Sequence, residues 1–148
     1  MRRLFAGLVA GCLLGPIASS IAADSPSPYA TPDLTAARVK IKAKDYAGAL
    51  ALLKPMLSNT IHADLYNLVG FCLRKTGDRK QAWVYYDKAL ALDSNHLGTL
   101  EYQGELFVET DQMEKARRNE AQLKILCPNG CEELEDLQAA IAKASKSR

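Results

Sequence analysis

Residues 63–96 read ADLYNLVGFCLRKTGDRKQAWVYYDKALALDSNH, and residues 97–130 read LGTLEYQGELFVETDQMEKARRNEAQLKILCPNG. Laid one over the other without a gap, Gly70 meets Gly104, Ala82 meets Ala116, Tyr66 meets Leu100, Leu73 meets Phe107 and Ser94 meets Pro128. Each unit reads as a helix, a short polar turn and a second helix. The small residues fall where two helices must touch closely, and the large ones fill the space beside them. Such a unit cannot bury its apolar face alone and therefore stacks on its neighbours. The reading is an all-α array.

Working outward, the third and fourth helices are expected over about 63–76 and 79–92. Between them Gly77 acts as the C-terminal stop and Asp78 as the next cap. The fifth and sixth are expected over about 97–109 and 112–126, with Asp111 where the glycine was and a fraying turn as the consequence. After Cys127-Pro128-Asn129-Gly130-Cys131 a seventh helix is expected over 131–145. It places Leu134, Leu137, Ile141 and Ala144 on one face, acids near its start and lysines near its end. Upstream, placing Ala49 over Ala82 makes residues 30–62 a looser first repeat, with Ala37 over Gly70. Thr31-Pro32-Asp33 reads as the start of its first helix, which runs to about Lys44. Asp45-Tyr46 opens its second, and Pro55 predicts a kink or an early end there.

The 34-residue period, the small and large residues and the closing Pro128 resemble the tetratricopeptide repeat. That resemblance implies a short right-handed superhelical stack of about three repeats (30–62, 63–96 and 97–130) plus a capping helix. It also implies a concave face, lined by the first helix of each repeat, that takes up a protein or peptide segment. GFCLRKTGD, GTLEYQGELF and LCPNGCEELEDL resemble small exported tetratricopeptide proteins of bacteria, which brings no biochemical activity with it. One subclass of the family clamps a C-terminal carboxylate with Lys, Asn and Arg. The corresponding places here hold Leu34, Arg38, Leu68, Gly98 and Tyr102, so that clamp is effectively absent.

The first 23 residues read as a cleaved export signal. Arg2 and Arg3 precede an uncharged run from Leu4 to Ala23 that ends in small residues, with cleavage expected after Ala22 or Ala23. An uncleaved anchor, a lipoprotein box at Val9-Ala10-Gly11-Cys12 and a twin-arginine start are the alternatives. Residues 24–31, DSPSPYAT, read as an extended, flexible linker. A bacterial periplasm is the expected destination, with no membrane span after cleavage. Those two arginines are the only charges in the first 23 residues, so the rest carries 17 basic and 17 acidic side chains. Such balance argues against a nucleic-acid partner.

The concave-face candidates are Arg38 and Lys42 from the first repeat, Asn67, Phe71 and Arg74 from the second, and Glu101, Glu105 and Glu109 from the third. The three glutamates follow at four-residue steps and are expected as one exposed acidic stripe. They either hold a basic or amphipathic partner segment or form a solvated face in which Glu109 pairs with Arg74 or Lys75. Glu132 and Glu133 are expected on an exposed face with no cleft. Cys127 and Cys131 read as a structural disulfide; a small thiol-redox or redox-sensing factor using that pair is the alternative function. Cys72 reads as an inert buried thiol. His62 and His96, one repeat apart, read as turn residues rather than metal ligands. Trp83, Tyr85 and Tyr86 read as packing, with an exposed Trp83 making the convex face a second candidate. No catalytic residue, metal or cofactor is expected, and self-association through the open ends of the array is a third reading.

Overall fold

The structure, a computed structural model, describes residues 27–146. The export-signal reading and the first residues of the linker lie outside the described residues. Among the described residues there are seven α-helices, one short 3-10 helix and no strand. The helices are α1 (Thr35–Lys42), α2 (Tyr46–Leu53), α3 (Ala63–Lys75), α4 (Arg79–Leu92), α5 (Leu97–Glu109), α6 (Met113–Leu126) and α7 (Glu132–Lys146). α1 packs on α2, α3 on α4 and α5 on α6. α2 then leans on α3, α4 on α5, and α7 closes over both α5 and α6.

Three turns repeat one backbone solution. Lys44, Gly77 and Asp111 all take positive φ, at 60°, 96° and 62°. One residue on, the N–H groups of Asp45, Asp78 and Gln112 donate back to the carbonyls of Lys40, Leu73 and Phe107, at 2.9, 2.9 and 2.8 Å. This left-handed stop uses carbonyls that a helix end otherwise leaves open. Glycine adopts it without strain, and Lys44 and Asp111 adopt it at some cost. The turn at Asp111 therefore keeps the closing bond instead of fraying. What it lacks is the next helix's cap: Asp45 and Asp78 accept from the N–H of Gly48 and Gln81, whereas Gln112 makes no side-chain cap.

Two expectations for the first repeat need correction. α1 begins at Thr35, not at Pro32, because Asp33 Oδ1 accepts the Thr35 N–H at 2.9 Å and sets the start later. The described part of the linker is a turn at 27–30 rather than extended chain, and the Pro28 carbonyl accepts the Ile61 N–H. The expected effect of Pro55 is present: α2 gives way at Leu53 to a 3-10 helix, Lys54–Ser58, with the proline in its first turn.

The core falls into two connected parts. One joins the first two pairs through Leu50, Leu53, Leu65, Val69, Leu73 and Tyr86, the other joins α5, α6 and α7 through Leu100, Leu123, Leu134, Leu137 and Ile141. Each fully buried large side chain contributes roughly 1.5–3 kcal/mol. Gly70 lets α3 and α4 close on each other, since a Cβ there would lie 2.7 Å from the Tyr86 ring. Gly104 likewise makes room for Leu137 of α7. Trp83 is half-buried against Phe107, ring centroids 4.4 Å apart, so it packs α4 onto α5. Cys127 ends α6, Cys131 precedes α7, and the two form a disulfide with Cα atoms 5.9 Å apart. The bridge ties the end of α6 to the start of α7.

Candidate functional site

One face of the molecule is built from α1, α3, α5 and α7. Side chains from all four helices surround a cleft of about 230 Å³. Arg38 comes from α1, Asp64, Asn67 and Leu68 from α3, His96, Gly98, Glu101 and Tyr102 from the start of α5, and Glu132, Glu133 and Asp136 from α7.

His96 lines the cleft, and both histidines cap helices of this face. His96 Nδ1 accepts the Thr99 N–H at 3.1 Å and caps α5; His62 Nδ1 does the same for α3 through the Asp64 N–H at 3.2 Å. A ring whose Nδ1 accepts carries its proton on Nε2, and His96 Nε2 lies 3.0 Å from Asp64 Oδ1. Arg38 reaches the same carboxylate at 3.6 Å. Asp64 is thus held from two sides and ties the starts of α3 and α5 to α1.

Further along the same face lies a second cluster. Phe71 and Tyr102 pack with ring centroids 4.5 Å apart. The Arg74 guanidinium sits 5.7 and 5.8 Å from their centres, with its side chain only 1% exposed. Arg74 donates to Glu105 and, at 3.2 Å, to Glu109, which also receives Arg79 at 3.4 Å. The exposed acidic stripe is therefore not what the chain builds. Glu105 is half-buried and Glu109 exposed, and both are paired with arginine.

Glu101 meets a different fate. It is 6% exposed, since α7 packs across α5, and no cation or hydrogen-bond donor among the described residues pairs with it. Burial, then the negative charges of Glu105, Asp136 and Glu133, push its carboxyl up to about 8 against the weaker opposing pull of Arg74. Asn67 is 5% exposed and its Oδ1 accepts no hydrogen bond. Its amide lies so close to α5 that a Cβ on Gly98 would be 3.2 Å from Nδ2.

Of the residues expected on this face, Arg38, Asn67 and Glu101 line the cleft. Phe71, Arg74, Glu105 and Glu109 make the neighbouring cluster, and Lys42 stays exposed and lines neither. Glu132 and Glu133 correct a further expectation: they border a cleft. A signal for this was present, because Asp64, Gly98 and Glu132 are 34 residues apart, as are Leu68, Tyr102 and Asp136. Continuing the repeat period by one more helix puts α7 on the same face. Cys72 is fully buried, and burial pushes its thiol up to about 12, which keeps it unreactive. No group of three or more His, Cys, Asp or Glu among the described residues is arranged to hold a metal ion. Compared with known proteins, the chain matches no family model and no curated protein.

Proposed function

We propose that the chain is a short tetratricopeptide-type stack, exported to the bacterial envelope, that acts as a non-catalytic module and binds a peptide or protein segment across the α1–α3–α5–α7 face. The observation that carries this reading is the cleft: four helices contribute to it, its carboxylates outnumber its single arginine, and it stays open at the surface. The recurring left-handed turns at Lys44, Gly77 and Asp111 support the repeat assignment. A disulfide fits an oxidising compartment, and no helix among the described residues is long and apolar enough to cross a membrane. The thiol-redox alternative gains little from the bridge, whose Cys127 is buried at the end of α6.

Affinity capture from an envelope extract tests the reading. Wild-type protein should retain a partner, Glu133→Lys with Asp136→Lys should lose it, and Glu114→Lys on the exposed start of α6 should keep it. Equal retention by all three would remove the face from consideration.

A further inference from the structure

The cleft is lined by a buried carboxyl group, Glu101, that no cation among the described residues pairs with, and by three further unpaired acids on α7. We propose that the cleft is a recognition site for an alkylammonium group, the side chain of a lysine on the bound segment, which pairs with Glu101 and lies against the carboxylates of α7. This deepens the groove reading and rests on it.

The chemistry follows from the lining. Asp64 is already occupied by Arg38 and His96. Glu101, Glu132, Glu133 and Asp136 have no ion-pair partner among the described residues, so the cleft carries uncompensated acceptor capacity. The unpaired acids come from two helices, Glu101 from α5 and Glu132, Glu133 and Asp136 from α7. That suits a compact ammonium with three donors better than a planar guanidinium fork. The four-carbon stem of a lysine would lie along Leu68 and Tyr102, the less polar wall. A metal ion is a poorer occupant, since the carboxylates are not grouped as ligands. Some 230 Å³ takes an ammonium and part of its stem with room for water.

Occupation is coupled to a proton. Glu101 is faced by Arg38 from α1, Asp64 and Arg74 from α3, His96, Tyr102 and Glu105 from its own helix and the turn before it, and Glu132, Glu133 and Asp136 from α7. In that mostly acidic surround its carboxyl holds a proton up to about pH 8. An arriving ammonium is already protonated, so pairing with Glu101 releases the Glu101 proton to solvent, and binding strengthens as pH rises from 6 to 8.5.

The test is an amide-NMR titration with Nα-acetyl-lysine methylamide, with its Nε-acetylated form as the uncharged control. Saturable shifts at Asn67, Gly98, Glu101 and Glu133 are expected with the first probe and none with the second. Affinity should be stronger at pH 8.5 than at pH 6 and about tenfold weaker in Glu101→Gln. Glu133→Gln should also weaken binding, and the amide spectrum of each variant reports whether it is folded. Equal response to both probes, or no saturable shift at pH 8.5, overturns the proposal. Spermidine separates the two sources of the same chemistry: binding far tighter than the lysine probe would overturn a lysine in favour of a free polyamine. If no ammonium probe binds while the cleft variants still lose a captured partner, the groove reading stands and the ammonium site falls. If the lysine probe binds and no partner is captured, the ammonium chemistry stands and the groove reading falls.

Discussion

Glu105 and Glu101 sit one turn apart on α5, and their surroundings are opposite. Glu105 has a cation: Arg74 reaches it from α3 alongside two packed aromatic rings, almost without exposure. Glu101, more deeply buried under α7, has none. The same residue type on the same helix face thus serves two purposes. A paired buried charge holds two helix pairs in register. An unpaired one is held neutral by a proton, which an incoming cation can replace. The Arg74 end of the face reads as structure and the Glu101 end as a site.

The largest way to break this contrast is to remove the cation that Glu105 already has. Arg74→Ala should cost roughly 3–5 kcal/mol in urea unfolding, because it strands the Glu105 carboxylate and opens a hole beside Phe71 and Tyr102. Replacing the pair together, Arg74→Met with Glu105→Leu, should recover most of that loss. A Glu105→Lys change, which an exposed stripe would have tolerated, should instead destabilise, since it sets a second cation against the buried Arg74 guanidinium.

At Glu101 the sign reverses. Its folded-state carboxyl titrates near 8, against 4.5 ordinarily. Below about pH 4.5 both states are protonated and Glu101 costs nothing. Between 4.5 and 8 the unfolded chain ionises first, so stability falls as pH rises, and above 8 the penalty is complete. Glu101→Gln should therefore match wild type near pH 4 and exceed its stability by on the order of 3 kcal/mol at pH 8, read from denaturant midpoints at the two pH values.

Much of the fold was legible from the sequence, and the reasons are local. Helix pairs show in apolar periodicity, their stops in Gly77 and Asp78, and their register in Gly70 over Gly104. The cap helix showed in Leu134, Leu137 and Ile141. The site was legible only in part. Spacing says that Glu101, Glu105 and Glu109 share a stripe of α5, but not which neighbour covers each. The 34-residue period carries α7 onto the same face, but how deeply it covers Glu101 depends on the packing of α7 across α5, which spacing does not encode. The capping roles of His62 and His96 were hidden for another reason: imidazole is not among the usual capping side chains.

Smaller effects sharpen the comparison. Reducing Cys127–Cys131 opens a loop of only five residues, worth about 2 kcal/mol by chain entropy, so the helical signal should survive in circular dichroism while the melting point falls. Because the bridge ties the start of α7 to the end of α6, reduction should also loosen the cover on Glu101 and move its titration toward ordinary values. His96→Ala removes the α5 cap and the contact to Asp64, and should cost about 1 kcal/mol in urea unfolding while leaving the Arg74 cluster intact.

The most direct measurement is a carboxyl-carbon NMR titration of Glu101 in the free protein and with a saturating lysine probe. The account requires a midpoint near 8 in the free protein, falling when the ammonium occupies the cleft. A free midpoint near the ordinary 4.5, unchanged by the probe, would show that Glu101 is neither buried alone nor waiting for a cation, and the division of the face into structure and site would be wrong.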